Sequence, residues 1–396
     1  MERISVESTV LQWARKSAGF HDVPLAAKRL SVSENTLNSW ETGTLQPTIK
    51  QLRTISRIYK RPLAVLLLPT PPKDFDALRD FRRSAGGDTL RWSPALESEF
   101  RRAVSQREVY LELQEVAPRT VIESKLVFGF RLQDGAEAAA EKIRTALDMD
   151  SWQPSLWSKP RELLNQAVTV IEDLGVQVIH TRDVDISEMR GFSIAEWPFP
   201  VIAVNGSDWP RPRLFTLLHE LAHLGLRDGG LCDLHESPKQ THNASDEVER
   251  FCNRVAAAIL MPEAQLMANP TVRASSANYR WSLEELEALS HQFGASSEAV
   301  LIRLIDLNKA NWNLYTERRH ELEQIYTEHR RQEKEKRKGR DGGPSYYLVK
   351  ARDLGHAYVS SVLDAYNNRA ISSLDVADYL NVRFEQLPKL QEALRR

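Results

Sequence analysis

Two histidines and one glutamate in a single apolar segment are the residues of this chain best suited to do chemistry. They stand in the sequence His219-Glu220-Leu221-Ala222-His223. Residues four apart lie one turn above each other on an α-helix, so His219 and His223 face the same side and can bind one metal ion. Glu220 lies one position later, from where a carboxylate can reach a water molecule on that ion and act as general base. The alternative is an amphipathic core helix with two hydrogen-bonded histidines.

A third metal ligand is expected on a nearby element, because a catalytic zinc ion usually has three protein ligands and one open position. The segment 245–262 offers one. Its alanine-rich run favours a helix, with Ser245 as the N-cap and Pro262 at the stop. Glu249 and Asn253 are four apart on one face of that helix. Asn253 can therefore stand beside a carboxylate ligand and orient it.

Several further stretches complete a longer pattern around these residues. They are Arg190 to Ile194, Pro200 to Asn205, Leu214 to Leu218, Gly230 to Asp233, Ala256-Ala257 and Leu260 to Pro262. Together with the histidine motif and Glu249-x-x-x-Asn253, they resemble the ImmA/IrrE family of metallopeptidases over about residues 160 to 310.

The resemblance implies a role for each residue of the expected metal site. By it, His219, His223 and Glu249 are the zinc ligands and Glu220 is the catalytic base. Glu247 lies two residues before Glu249 and stays the competing third ligand, because the sequence does not fix the phase of the helix. We prefer Glu249.

Length and composition place the chain among ordinary soluble proteins of two or three units. Its formal net charge of −1 gives no overall attraction to nucleic acid or to a membrane. We find no apolar run of 18 residues, no cleavable signal and no disulfide framework, so a cytoplasmic protein without a membrane partner is expected. Cys232 and Cys252 are the two cysteines. Cys252 follows Glu249 by three residues and can approach the site, although a small buried apolar role is the favoured interpretation.

The first 70 residues differ in charge from the whole chain. They hold ten Lys or Arg residues against five Asp or Glu residues, a net charge of +5. A helix over 24–30, a break at 31–33 and a second helix over 34–41 give helix-turn-helix organisation. Ser33 can cap the second helix and Gly43 can end it. A local contact with a polyanion is expected from this charge.

This segment resembles the XRE family of DNA-binding domains, particularly in Trp40-Glu41-x-Gly43 and Gln46-Pro47-Thr48. The resemblance implies that the second helix reads base edges in the major groove of a double-stranded operator, often as a homodimer. The expected contacts are Asn35, Thr36, Asn38 and Ser39 to bases and Lys50 to phosphate. This helix has no Lys or Arg and begins with Glu34, so moderate DNA affinity is expected. A bundle used only for protein contacts is the alternative.

The expected fold class is α+β and mostly helical. The predicted parts are an XRE-type helix-turn-helix domain (1–70), a linker and connecting helix (71–130), a zincin-like metallopeptidase domain (131–310), a charged helix and linker (311–343) and a C-terminal helical unit (344–396). Strands predicted over 176–181, 191–197 and 201–205 form a small sheet before the H-E-x-x-H helix, and an edge strand there can bind an extended peptide. His235 and His242 are either oxyanion stabilisers or solvated loop residues.

Together these patterns predict a DNA-binding regulator with a zinc-dependent endopeptidase domain. The resemblance to the ImmA/IrrE family implies that the substrate is a repressor or another regulatory partner, such as a toxin-like protein, of a mobile element, a stress response or a toxin–antitoxin system. The alternative is a non-catalytic transcription regulator or antitoxin, in which the zincin fold serves as a sensor or docking surface.

Overall fold

The computed structural model describes residues 3–72, 92–126, 128–226, 231–232, 244–338 and 345–394. The fold is mostly helical, as predicted, with a small mixed sheet between residues 177 and 205. The chain forms two compact units. One comprises Met1–Ser105 with Arg182–Asp185, and the other comprises Gln106–Thr181 with Ile186–Arg396. The expected five-part division stays a prediction.

The first unit is a bundle of short helices followed by the start of a long one. They are α1 (Ser8–Lys16), α2 (Val23–Leu30), α3 (Glu34–Glu41), α4 (Ile49–Tyr59), α5 (Leu63–Leu66) and α6 (Pro94–Val116), which continues into the second unit.

Local sequence explains the turn between α2 and α3. Ser33 caps α3, because its Oγ accepts the Thr36 backbone N–H at 3.1 Å. Trp40 is buried on the inner face of α3, and Gly43 follows the helix with a φ of +76°, which glycine adopts without strain. The buried guanidinium of Arg15 bonds Glu41 at 2.7 Å and ties α1 to α3. These contacts confirm the predicted helix-turn-helix bundle as a fold.

The second unit holds the remaining α-helices of the described residues. They are α7 (Ala136–Ala146), α8 (Pro160–Asp173), α9 (Pro210–Leu226), α10 (Ala244–Leu260), α11 (Glu263–Ala268), α12 (Pro270–Ala274), α13 (Leu283–Phe293), α14 (Ser297–Asp306), α15 (Trp312–Lys338), α16 (Tyr346–Leu354), α17 (His356–Asn367), α18 (Ser373–Tyr379) and α19 (Leu387–Leu394). α10 begins at Ala244, so the expectation that Ser245 is its N-cap is wrong. Ser245 lies in the first turn.

The sheet of the second unit has the strand order β1-β3-β2-β4. Its strands are β1 (Gln177–Thr181), β2 (Gly191–Ile194), β3 (Val201–Asn205) and β4 (Leu231–Cys232). β1 pairs parallel with β3, whereas β2 pairs antiparallel with both β3 and β4. β2 ends at Ile194 rather than at residue 197, shortly before Pro198, which has no N–H to give to a ladder. Strand β4 was not predicted, because two residues are too few to show alternation.

Helix α9 lies at the centre of the second unit. It packs against α8, α10, β2 and β3 and shares one apolar core with α8 and α10. Twelve of its 17 residues are buried, including both histidines and the glutamate of the motif. A helix that is apolar on every side is a buried helix. The motif therefore lies in the interior of the fold, where water has limited access.

The C-terminal helices belong to the same compact unit. α16, α17, α18 and α19 form a second apolar core with the C-terminal half of α6. In that core Tyr110 of α6 stacks on Phe199 with 5.3 Å between ring centroids and meets Tyr358 edge-on at 5.6 Å. Within the described ranges, no helix is long and apolar enough to cross a membrane.

Candidate metal centre

His219 and His223 point their Nε2 atoms toward each other from successive turns of α9. These two nitrogens are 3.0 Å apart. His219 is fully buried and His223 is 3% exposed. The fold thus holds two imidazole rings on one side of a buried helix, as their spacing predicts.

Glu249 reaches the same point from α10. Its Oε2 lies 3.2 Å from Nε2 of His219, and its Oε1 lies 3.2 Å from Nε2 of His223. All ligand atoms of the three residues lie within 4.8 Å of one another. Two imidazoles and a carboxylate are a donor set that zinc takes, and ligands about 2.0–2.1 Å from one ion are themselves separated by about 3 Å. The residues present fit a zinc ion.

The competing ligand Glu247 does not reach this cluster. Its side chain is exposed, two residues before Glu249 on α10. Among the described residues, the group able to bind a metal ion consists of His219, His223 and Glu249. The phase of α10 in the folded protein therefore selects Glu249.

The protonation of the three residues follows from burial and mutual contact. Burial lowers the pKa of His219. For His223, burial also acts to lower the pKa, but contacts with Cys252 and Glu249 outweigh it and raise the pKa. Burial acts to raise the pKa of Glu249, and the hydrogen bonds from both histidines outweigh it and lower that pKa. Metal binding needs a neutral imidazole at both histidines, so the raised pKa of His223 opposes it.

Glu220 is fully buried beside the ligands. Gly191, the first residue of β2, lies directly beside it. A Cβ atom at position 191 would lie 3.1 Å from Glu220 Oε1 and 2.5 Å from Cγ2 of Thr216. A side chain at position 191 would clash with Thr216 and crowd this carboxyl, so β2 and α9 position Glu220 together.

Two further residues of α10 approach the histidines. Asn253 lies one turn after Glu249, and its side chain hydrogen-bonds to His219. It is thus placed to orient a candidate metal ligand through the imidazole. The buried thiol of Cys252 contacts His223. Its spacing from Glu249 allowed this contact, but burial among apolar residues was the favoured interpretation.

The residues expected to contact DNA lie in the first unit. Asn35, Asn38 and Lys50 are exposed. The Thr36 hydroxyl pairs with Ser33 Oγ at 2.8 Å, and Ser39 donates to the Asn35 carbonyl at 2.7 Å. Asn35, Asn38 and Lys50 therefore keep their polar groups open to a ligand more fully than Thr36 and Ser39. His235 and His242 lie outside the described residues.

Comparison with known families gives one result. Residues 168–305 match the model of the peptidase M78 family, described as the IrrE N-terminal-like domain. Comparison with curated proteins and with solved structures gave no match. The matched segment contains the histidine motif and Glu249. The metal-binding geometry thus lies within a domain of metallopeptidase type.

Proposed function

We propose that the second unit is a zinc-dependent endopeptidase. The observation that carries this proposal is the meeting of His219, His223 and Glu249 beside the buried carboxyl of Glu220, inside the segment similar to the M78 family. A donor set with three protein ligands suits a catalytic zinc more than a structural one, which usually has four.

The proposed mechanism gives each of these side chains one task. When bound, zinc polarises the peptide carbonyl and makes a water molecule more acidic. His219, His223 and Glu249 hold the ion, and Asn253 orients His219. Glu220 accepts the proton of the attacking water and later donates it to the leaving amine. Its burial beside Gly191 fixes the carboxyl and excludes bulk water from it.

The expected substrate is an extended segment of a regulatory protein. β1, at one edge of the sheet, packs against α8 and α16. Within the described part of the chain, β4 lies at the other edge, next to β2, whose first residue lies beside Glu220. We propose that the substrate adds to the sheet on this β4 side, because strand addition there brings its backbone close to the metal centre.

We further propose that the first unit binds double-stranded DNA. Its net charge of +5 and the exposed Asn35, Asn38 and Lys50 support this. The absence of Lys and Arg from α3 favours moderate affinity. The protein would then be a regulator that cleaves a repressor or toxin-like partner near its own operator, and a DNA-bound homodimer is expected.

The peptidase proposal is tested by zinc analysis together with cleavage of the proteins encoded next to this gene. We expect one zinc per chain and a neighbouring protein cut by the wild type but not by Glu220→Gln. Glu247→Gln, which alters an exposed glutamate of α10, is the control and should cleave normally. Zinc without cleavage of any neighbour would favour the non-catalytic regulator, and protein without zinc would contradict the proposal.

The DNA proposal is tested separately by titrating the DNA upstream of the gene with the full chain. We expect Asn38→Ala to weaken binding by about 1–3 kcal/mol, the worth of one good base contact. Lys50→Ala should reduce the salt dependence by about one phosphate contact. Asn165→Ala, an exposed change on α8, is the control. Equal binding by all three variants would contradict a role for α3.

A further inference from the structure

A cavity of ≈480 Å³ lies in the second unit, apart from the metal centre. Its lining includes none of His219, Glu220, His223 and Glu249. It lies between the end of α8, the start of β1 and the first turns of α17. Its size falls within the usual range for small-molecule sites, about 300–1,000 Å³. The surrounding residues indicate what kind of molecule fits.

The floor of the cavity contains a buried carboxyl. Glu172 of α8 is 6% exposed, and its Oε2 accepts a long hydrogen bond of 3.4 Å from the Ala357 backbone N–H. Backbone N–H groups of Ala357, Val178 and His356 lie around this carboxyl, and among the described residues no hydrogen bond of normal geometry reaches its Oε1. A buried acceptor left in this way is destabilising. A ligand that brings a donor to Glu172 would offset part of this cost.

A second acceptor lies in the same floor. Gln177 Nε2 donates to Gln106 Oε1 at 3.0 Å, and Gln106 Nε2 donates to the Leu354 carbonyl at 3.3 Å. This chain orients the Gln177 amide, and its Oε1 has no hydrogen-bond partner in the described part of the molecule. The hydroxyl of Tyr110 is engaged with Ser361. The floor therefore favours a ligand rich in N–H donors.

Charge and shape narrow the class of ligand further. The exposed rim of the cavity carries the carboxyl groups of Asp173 and Asp364 and the guanidinium of Arg119. Burial lowers the pKa of His356, so this rim histidine adds no positive charge at neutral pH. The aromatic pair of Tyr110 and Phe199 contributes a flat apolar wall. With Glu172, the lining holds three carboxyl groups and one fixed cation.

We propose that this cavity binds a small planar organic cation, such as an aryl amidine or guanidine. Its N–H groups would bond Glu172 and Gln177, and its ring would lie against Tyr110 and Phe199. The proposal is independent of the metal centre and of peptidase activity. Because the walls come from α8 and from α17, a bound ligand would also stabilise the packing of the C-terminal helices.

Benzamidine is a suitable test ligand because it is a planar aryl cation that fits the volume. Binding to the full-length protein is measured by calorimetry, with neutral benzamide as the comparison. We expect one benzamidine per chain, at least about tenfold tighter than benzamide, a difference of about 1.4 kcal/mol. Absence of benzamidine binding, or equal binding of both compounds, would overturn the proposal.

Two variants test the location of the site. Glu172 must ionise to pair with a bound cation. Glu172→Gln keeps the shape of the side chain and removes this ability to ionise, and should weaken benzamidine binding at least about tenfold. Glu162→Gln, an exposed change on the same helix, is the matched control and should bind as the wild type does.

Ser360→Trp provides an independent check, because it puts a large side chain into the cavity from the exposed rim and leaves Glu172 itself unchanged. It should abolish binding while circular dichroism and zinc content stay at wild-type values. Binding that persists in both Glu172→Gln and Ser360→Trp would place benzamidine elsewhere and overturn the assignment.

Discussion

Glu249 in the metal centre and Glu172 in the cavity are both largely buried carboxyls in the second unit, yet their acidities move in opposite directions. Burial acts to raise the pKa of each. At Glu249 the two histidines outweigh burial, and the pKa is lowered. At Glu172 the hydrogen bonds from nearby backbone N–H groups do not outweigh burial, and the pKa rises to about 8. The difference shows that the neighbours of a buried carboxyl decide whether it is ionised or stays a neutral acid at neutral pH.

Loss of a metal ligand should give the largest effect. We expect His223→Ala to lower zinc affinity by at least about a hundredfold, beyond the 10–100-fold that outer-shell changes usually cost. Competition with a chromophoric chelator measures this. His291→Ala, which removes a half-exposed histidine of α13, should bind zinc normally. Equal zinc affinity in both variants would mean that His223 is not a ligand.

The variant Asn253→Ala tests whether the histidines need an orienting partner. Asn253→Ala removes the amide that contacts His219, and we expect zinc affinity to fall about 10–100-fold with one zinc still bound at saturation. The same chelator assay applies, with Asn165→Ala as the exposed control. An unchanged affinity would limit the role of Asn253 to packing.

The Gly191→Ala variant tests how tightly the sheet holds Glu220, the proposed general base. In Gly191→Ala the new Cβ meets Thr216 and Glu220, so we expect a loss of about 1–3 kcal/mol in the free energy of unfolding. Urea unfolding measures it. At Gly129 an added Cβ meets its nearest neighbour at 4.0 Å, so Gly129→Ala should change stability little. Similar unfolding of both variants would contradict the close contact.

The raised pKa of Glu172 predicts that the free energy of unfolding depends on pH. Its carboxyl ionises near its ordinary pKa of 4.5 in the unfolded chain and near 8 in the folded protein, so between these values the folded state binds more protons. Stability from this group therefore falls as pH rises, by at most about 1.4 kcal/mol per pH unit. The other ionisable residues of the cavity are the same in the wild type and in the variant Glu172→Gln. They are Tyr110, Arg119, Asp173, His356 and Asp364.

The measurement is urea unfolding of wild type and Glu172→Gln at pH values from 5 to 8. The stability of the wild type relative to the variant should decline steadily across this range. Glu162→Gln should follow the wild type. A relative stability that does not change with pH would show that Glu172 ionises normally in the folded state.

The sequence predicted local geometry better than contacts between distant segments. Helical spacing was enough to place His219 and His223 together, because four residues make one turn. The choice of Glu249 over Glu247 needed the phase of α10 against α9, which only packing provides. The contact between Gly191 and Glu220 joins a strand to a helix and has no local signal.

The cavity was not predicted, for the same reason. Its lining joins residues between positions 110 and 199 with residues between positions 356 and 394, so the two groups are more than 150 positions apart in the chain. Glu172 and Gln177 also resemble ordinary surface residues of a helix and a strand edge. Their burial depends on α17, which no local pattern connects to α8.

The burial of α9 has a consequence for how this protein can change by mutation. Substitutions along this helix affect packing on every side, and no face is left on which variation is neutral. α15 is the opposite case, with several exposed ion pairs between neighbouring turns. In a library of single variants, α9 should tolerate the fewest replacements. This should hold even at positions that are not candidate metal ligands, such as Leu217 and Leu221.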